Sequence, residues 1–454
     1  MRHLTLMRHA KAKQPSGDMT DHQRPLNKRG MRQAEAMAHV LQRWQALEGK
    51  ICVSTAVRTR QTFDVIEAQH LERQLDSHVL LDDALYTFEG EALLAWLKAL
   101  PDTAKRVLVI GHNPALVELA HWLNDEAPPS LPTGSVLHFT LPETPWSAIK
   151  KGSAELAGGL TPETASYALL KGHAGELHPT KCDTASRLHE ALAYQFERVK
   201  ALKPGVIAGE DPEFLHQYRV SLRRSRAMLE SVRSITNVSG LKKRLKQLKQ
   251  HASATSDLRD LDVFLEELNH TEPPLSAGAQ QSLRQWLQGC QRAEHRALCQ
   301  QLSAPGYLEA LEEWQRWLGS ETCEQALAKL SPKRIQAVLD ERVVRHHEDR
   351  AALSLDSPDA AFHELRKGVK RIRYLADLHP ATSKALLAGL KRRQRLLGEH
   401  QDLCVRQAWL EAFSVSKEGT SKERQECAQW QVALEAQKQT LRKKVLALKP
   451  LARG

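Results

Sequence analysis

Leu4-Thr5-Leu6-Met7-Arg8-His9-Ala10-Lys11 is a short apolar run that ends in an arginine and a histidine. A histidine delivered at the end of a strand can attack a phosphoryl group, and a guanidinium beside it can hold the oxygens. The pattern recurs. Val107-Leu108-Val109-Ile110 leads into Gly111-His112-Asn113-Pro114, and Val53-Ser54-Thr55-Ala56-Val57-Arg58-Thr59-Arg60-Gln61-Thr62 places Arg58 at the start of a helix after a third short strand. Open α/β sheets bind ligands beyond the carboxyl ends of their strands, so these three exits can converge on one anion. Such a site requires no metal and no cofactor.

Working outward, strands are expected at His3–Met7, Ile51–Ser54, His78–Leu81, Val107–Ile110 and Val136–Leu141, with helices between them such as Met31–Leu47 and Leu116–Leu123. Strands alternating with helices predict an α/β domain over 1–165, a mainly parallel sheet with helices on both faces. The tract Ala127-Pro128-Pro129-Ser130-Leu131-Pro132 reads as a surface loop. Gly172, Gly175 and Pro179 break periodicity, which puts a linker at 166–185. Beyond it strand patterns vanish, and 186–454 reads as an all-α domain interrupted at Pro273-Pro274, Pro305-Gly306, Pro332 and Pro358.

At 454 residues, 41% of them hydrophobic, the chain is long enough for two or three folded domains. No stretch suits a bilayer span and the N-terminus reads as a strand, so a cytoplasmic location and no membrane partner are expected. Cys52, Cys182, Cys290, Cys299, Cys323, Cys404 and Cys427 are odd in number and never spaced C-x-x-C, which argues against a disulfide framework or a zinc site. Charge separates the two parts. Residues 1–165 carry 18 Lys and Arg against 19 Asp and Glu, whereas 166–454 carry 47 against 35. The helical part is therefore the one suited to a polyanion.

That part contains an internal repeat. His216-Gln217-Tyr218-Arg219-Val220-Ser221-Leu222-Arg223-Arg224-Ser225-Arg226 matches His363-Glu364-Leu365-Arg366-Lys367-Gly368-Val369-Lys370-Arg371-Ile372-Arg373. Leu258-Arg259-Asp260-Leu261-Asp262-Val263 is paired with His400-Gln401-Asp402-Leu403-Cys404-Val405. A basic helix precedes each, with Lys242, Lys246 and Lys249 in one and Lys391 and Arg395 in the other. Two related helical halves are expected, about 186–330 and 331–454. On a helix, positions 0, +3, +7 and +10 share a stripe about 80° wide. His216, Arg219, Arg223 and Arg226 form one stripe, and His363, Arg366, Lys370 and Arg373 form another. Leu215, Leu222 and Leu229, and Phe362, Val369 and Ile372, occupy the opposite, core-forming faces. Like charges this close repel, so an anion must offset them or solvent must screen them. Few aromatics accompany the basic helices, which disfavours nucleic acid as the partner. His216 and His363 have no second ligand at i+4, which disfavours a metal.

Leu6-Met7-Arg8-His9-Ala10-Lys11, Arg24-Pro25-Leu26, the Arg58 segment and Gly111-His112-Asn113-Pro114 resemble the histidine phosphatase superfamily, in particular its small SixA-like phosphohistidine phosphatases, over about 1–160. The resemblance implies a phosphoglycerate-mutase-like fold and phosphatase activity. It makes His9 the nucleophile, with Arg8, Arg58 and His112 cradling the phosphoryl group and Arg24 a further contact. Larger members carry an acidic residue after the third strand to protonate the leaving oxygen. Here the stretch is Asp82-Asp83-Ala84-Leu85-Tyr86-Thr87-Phe88-Glu89-Gly90, with Thr87 in that place and Asp83 and Glu89 nearby. A phosphoramidate leaving group can already carry its proton, so the departure favours phosphohistidine over sugar phosphates.

The duplicated helical motifs resemble the CHAD domain, a conserved-histidine helical domain that binds inorganic polyphosphate, from about 186 to the C-terminus. The resemblance implies two bundles with basic helices facing a central groove. His216, Arg219, Arg223, Arg224, Arg226, Lys242, Lys246, Lys249, His363, Arg366, Lys367, Lys370, Arg371, Arg373, Lys391 and Arg395 are its expected polyphosphate contacts. Gln401 and Cys404 stand where the first half has Arg259 and Asp262, so the halves need not bind equally. The expectation is a phosphohistidine phosphatase acting on a phosphohistidine-bearing protein, targeted or regulated by polyphosphate and associated with polyphosphate granules. The alternatives are a polyphosphate-directed phosphatase and a non-catalytic polyphosphate-binding scaffold.

Overall fold

The computed structural model describes residues 1–70, 79–171, 184–236, 238–377 and 384–452. The chain divides into two compact units, Met1–Gly175 with Ala208–Asp211, and Glu176–Ile207 with Pro212–Gly454.

The first unit runs β1 (Arg2–Arg8), α1 (Lys28–Arg43), β2 (Lys50–Ser54), α2 (Val57–Ala68), β3 (Val79–Asp82), α3 (Gly90–Lys98), β4 (Arg106–Gly111), α4 (Ala115–Leu123), β5 (Val136–Leu141), β6 (Glu155–Leu160), α5 (Pro162–Ala165) and α6 (Tyr167–Lys171). The sheet order is β3-β2-β4-β1-β5-β6. β3, β2, β4 and β1 are parallel, while β5 and β6 join antiparallel. Successive strand residues point to opposite faces. Val107 and Val109 of β4 therefore pack with Leu93, Leu97, Leu116 and Leu119 of α3 and α4. Leu108 and Ile110 pack with Met37, Leu41, Phe63 and Ile66 of α1 and α2. Both faces are covered, which is why the strand reads as an unbroken apolar run.

β6 was not expected. It is an edge strand whose Gly158-Gly159 hides the strand pattern, and both glycines lie close to neighbouring side chains. A Cβ on Gly159 would lie 2.9 Å from Leu137, and one on Gly158 3.3 Å from Trp44. α1 begins earlier than expected because Asn27 accepts the Gly30 N–H at its N-terminus. Tyr167–Lys171 of the expected linker is helical, and Gly172, Gly175, Pro179 and Cys182 lie outside the described residues, as does His78.

The regular elements of the second unit, among its described residues, are helices: α7 (Thr184–Ala208), α8 (Pro212–Ile235), α9 (Leu241–Ala254), α10 (Ser256–His270), α11 (Ala277–Ser303), α12 (Pro305–Leu318), α13 (Glu321–Ala328), α14 (Pro332–Ala351), α15 (Asp359–Ala376), α16 (Lys384–Val415) and α17 (Ser421–Leu446). The repeat helices are α8 and α15. Their apolar faces are buried as expected, with Leu222 and Leu229 in one and Phe362, Val369 and Ile372 in the other each no more than 1% exposed. Leu261, Phe264, Leu283 and Leu287 of α10 and α11 join the core formed by α14 to α17, so the two repeats share apolar packing. Among the described residues no helix is long and apolar enough to cross a membrane.

Candidate functional site

The carboxyl ends of β1, β2 and β4 meet in the middle of the sheet. Arg8 pairs with Gly111 in the parallel ladder, and the His9 N–H donates to the Gly111 carbonyl at 3.1 Å. The next residue on each strand is thus a histidine, and the His9 and His112 rings are 5.2 Å apart. β2 ends at Ser54, and α2 begins at Val57, which carries Arg58 into the same place.

Arg58 organises the centre. Its side chain is buried and donates through Nε to His9 Nε2 at 3.2 Å, and through Nη2 to His112 Nδ1 at 3.2 Å and Asp21 Oδ2 at 2.8 Å. Nη1 donates to the Asp21 carbonyl. These partners fix the tautomers. His9 Nδ1–H donates to the Ala10 carbonyl at 2.9 Å, which leaves the Nε2 lone pair toward the cationic centre. His112 Nε2–H donates to Ser54 Oγ at 2.8 Å. Burial, then the charges of Arg58, Arg8 and Arg24, push His9 down to about 4 against the opposing Ala10 hydrogen bond. Burial, with His9 and Arg58, pushes His112 down to about 3. Both imidazoles are neutral at pH 7, the state a nitrogen nucleophile needs.

Arg8 donates through Nη1 to the Leu131 carbonyl at 2.9 Å, while its buried Nε has no hydrogen-bond partner. A buried, unpaired guanidinium N–H is costly unless an anion meets it. The Leu131 carbonyl also accepts from Asn113 Nδ2 at 2.9 Å. The proline tract, expected to be only a surface loop, therefore forms a wall of the site. Arg24 lies at the rim, tied to Asp21 Oδ1 at 2.7 Å and to the Lys13 carbonyl at 3.0 Å.

Two residues escaped the sequence reading. Asp21 accepts from Arg58, Arg24 and the Tyr86 hydroxyl, the last at 3.0 Å. Burial alone would raise its pKa, but these partners hold it at about 2, so it is a fixed anion that orients Arg58. Tyr86 sets its edge against His112 at 5.3 Å and lies under the Arg58 guanidinium. Neither belongs to a strand-end motif, which leaves no local signal for them. Of the residues near the place of the missing acid, Asp83 accepts from Thr55, Thr87 Oγ1 accepts the Glu89 N–H at 3.2 Å, and Glu89 is exposed.

In the helical unit, α8 and α15 bring parts of the two basic stripes into one cleft of about 280 Å³. Arg219, Arg223, Arg226, His363, Arg366, Lys367, Lys370 and Arg371 line it, together with Glu230 and Tyr374. Tyr374 was not expected there, and its hydroxyl accepts from Arg223 Nε at 3.0 Å. The cleft does not gather every expected residue. His216, Arg224, Arg373, Lys242, Lys246, Lys249, Lys391 and Arg395 do not line it. Arg224 and the α9 lysines 242, 246 and 249 are exposed, and so is Lys391, while Arg395 pairs with Glu399 at 3.0 Å and Arg373 with Gln394. Part of the α9 charge is met by Glu313 of α12, which pairs with Lys243 and Arg244.

Crowding of cations in the cleft shifts their protonation. Burial, then Arg366, Arg223 and Arg219, lowers Lys370 to about 7, with Asp402 opposing. The repeat aspartates face these arginines. Burial raises Asp260 to about 6 against the pull of Arg219, and burial likewise raises Asp402 against Arg366.

Asp359, His400 and Cys404 place ligand-type atoms within 4.8 Å of one another. The Asp359 carboxylate is already bracketed by Lys438 and Arg442, each at 2.6 Å. Two resident cations make it a poor seat for a metal ion.

A strand-end histidine with a cationic cradle, joined to a helical unit that concentrates basic side chains in a cleft, is the arrangement of a phosphatase fold followed by a basic helical domain. The histidine phosphatase superfamily (branch 1) matches residues 4–106, and the CHAD domain matches 190–411. The chain belongs to the histidine phosphatase superfamily through its N-terminal unit and carries a CHAD domain in its helical unit. An uncharacterised protein of Mycobacterium tuberculosis (strain CDC 1551 / Oshkosh) is 32% identical over 115 residues, 25% of this chain and 67% of that protein. The structure of the protein histidine phosphatase SixA complexed with tungstate is 24% identical, covering 36% of this chain and 99% of its own, with a TM-score of 0.31. The CHAD domain from the plant Ricinus communis is 22% identical, covering 62% of this chain and 99% of its own, with a TM-score of 0.49.

Proposed function

We propose that the N-terminal unit is a phosphohistidine phosphatase and that the helical unit binds inorganic polyphosphate, which tethers or regulates the enzyme. The observation that carries the first part is the protonation pattern of the site. His9 and His112 are neutral and Asp21 is ionised at pH 7, so none of the three is poised to give a leaving group its proton. A phosphohistidine needs none. With its distal ring nitrogen already protonated, it departs as neutral imidazole.

His9 Nε2 forms the new P–N bond as the substrate's P–N bond breaks. Arg8 and Arg58 offset the charge on the equatorial oxygens, a pre-set arrangement that lowers the barrier of phosphoryl transfer. Water then cleaves phospho-His9, releases orthophosphate and returns His9 to neutral imidazole. On attack His9 Nε2 exchanges the Arg58 Nε–H for phosphorus, which frees that N–H to turn to a phosphoryl oxygen while Asp21 keeps the rest of the guanidinium in place.

The second part is supported by the meeting of two same-sign stripes in one cleft. Such a cleft suits a linear polyanion, whose binding weakens steeply with salt as counterions are released. The test is dephosphorylation of a phosphohistidine-bearing protein by the full chain and by His9→Ala, with and without long-chain polyphosphate at two salt concentrations. Turnover that requires His9 supports the enzyme. A polyphosphate effect that fades at high salt supports the coupling. No turnover, with orthophosphate released from polyphosphate alone, would replace this reading by a polyphosphatase.

A further inference from the structure

Phe88 is 43% exposed, yet its ring lies 5.5 Å from that of His112. A large apolar side chain left open to water beside a buried polar centre is a position that something apolar or flat can cover. His112 contacts both this ring and that of His9, and the Phe88 ring is held firmly. Tyr86 packs against it at 5.5 Å, edge to face, and is itself anchored to Asp21. On the other side the Gly90 N–H donates to Glu118 at 2.7 Å, and a Cβ at Gly90 would meet the Glu118 side chain at 2.5 Å. The segment between β3 and α3 is thus pinned at both ends, with the Phe88 side chain still 43% exposed between them.

We propose that Phe88 is a specificity-determining residue, an aromatic platform on which the departing imidazole of a phosphohistidine stacks. This rests on the phosphohistidine reading above and adds the means by which the site tells a flat ring from an alcohol or an amine. The chemistry suits the surface. The leaving imidazole carries a proton and partial positive charge until the P–N bond breaks, and the face of a benzene ring attracts such a cation while the nearby arginines repel it. A sugar or a serine side chain has no π-face to place there. The platform takes no part in bond making, and its contribution appears in the choice of leaving group.

The experiment compares two small phosphoramidates on the full-length protein. Phosphoimidazole has the ring, and phosphoramidate has the same bond type without it. Wild type, Phe88→Ala, Phe88→Leu and Phe88→Tyr are measured by kcat/KM on both, with thermal unfolding as a check on folding. The expected result is a drop of about three- to tenfold on phosphoimidazole for Phe88→Ala and Phe88→Leu, recovery in Phe88→Tyr, and little change on phosphoramidate. Equal losses on both substrates, or none on either, would overturn the platform. In that case His9-dependent turnover of a phosphohistidine protein by wild type would leave the underlying reading intact. Wild-type protein that turns over phosphate esters but neither phosphoimidazole nor a phosphohistidine protein would overturn both.

Discussion

On the polyphosphate-binding reading proposed above, Lys370 makes anion binding in the α8–α15 cleft depend on pH in a definite direction. In the free protein its ammonium is held at about 7 by burial and by Arg366, Arg223 and Arg219, against Asp402. A bound polyanion offsets those arginines and returns Lys370 toward the ordinary lysine range near pH ~10.4, so binding takes up a proton wherever Lys370 starts neutral. The protonated fraction falls from about nine in ten at pH 6 to about one in ten at pH 8, and apparent affinity falls with it by about tenfold. Asp260, raised to about 6, loses its proton over the same interval and acts in the same sense. For the unliganded domain the sign is opposite. The unfolded chain binds more protons between pH ~7 and ~10.4, so stability from this group rises with pH across that window. Calorimetric titration with long-chain polyphosphate, whose internal phosphates stay ionised, reads both affinity and proton uptake. Lys370→Arg, which keeps the charge at every pH, should remove this tenfold ratio and leave only the separate contribution of Asp260. Equal wild-type affinity at pH 6 and pH 8, or an unchanged ratio in Lys370→Arg, would refute the argument.

Other outcomes follow from single contacts. Because His9 is held at about 4, kcat/KM expressed per substrate whose imidazole is protonated should be flat from pH 8 to pH 5 and should decline only as His9 protonates near pH 4, after the acid hydrolysis of the substrate itself is subtracted. A midpoint near the usual histidine value of ~6.5 would contradict the burial argument. Gly30→Ala sets a Cβ 2.2 Å from the Lys11 carbonyl oxygen, a backbone atom two residues from His9. It should cost ~1–3 kcal/mol in thermal unfolding and lower kcat, and wild-type values for both would show that the loop can yield. Asp359→Asn leaves Lys438 and Arg442, 4% and 8% exposed, without their shared carboxylate. Allowing for the 39% exposure of Asp359, the loss should be about 2 kcal/mol in denaturant titration. Burial alone would raise the Asp359 pKa, but Lys438 and Arg442 hold it low, so this stability should be present at neutral pH and lost as acid protonates the carboxyl. A change below ~0.5 kcal/mol would mean the two cations find other partners.

The strand-end cluster was legible in the sequence because its parts sit where apolar runs stop. His9, Arg58 and His112 each follow a strand by a few residues, so periodicity located them and the sheet brought them together. Asp21 and Tyr86 reach the site across loops, by hydrogen bonds that no spacing encodes. β6 was lost for a related reason, since Gly158 and Gly159, which lie close against Trp44 and Leu137, carry no strand signal of their own. In the helical unit the 3.6-residue period gave the buried faces of α8 and α15 correctly. It could not say which members of a basic stripe face the partner helix. Arg219 and Arg366 do, whereas Arg373 at the end of its stripe turns to Gln394.

The position of β3 at the margin of the sheet has an evolutionary consequence. β1 and β4, which deliver the two histidines, lie between other strands and are locked by hydrogen bonds on both sides. β3 has one neighbour, and Leu80 and Leu81 remain open to solvent. Tyr86 and Phe88 hang from that margin. Insertions or substitutions there disturb one ladder and little core, so descendants of this chain can acquire new substrates by drift at the border while the phosphoryl-transfer machinery stays under the constraint of the interior.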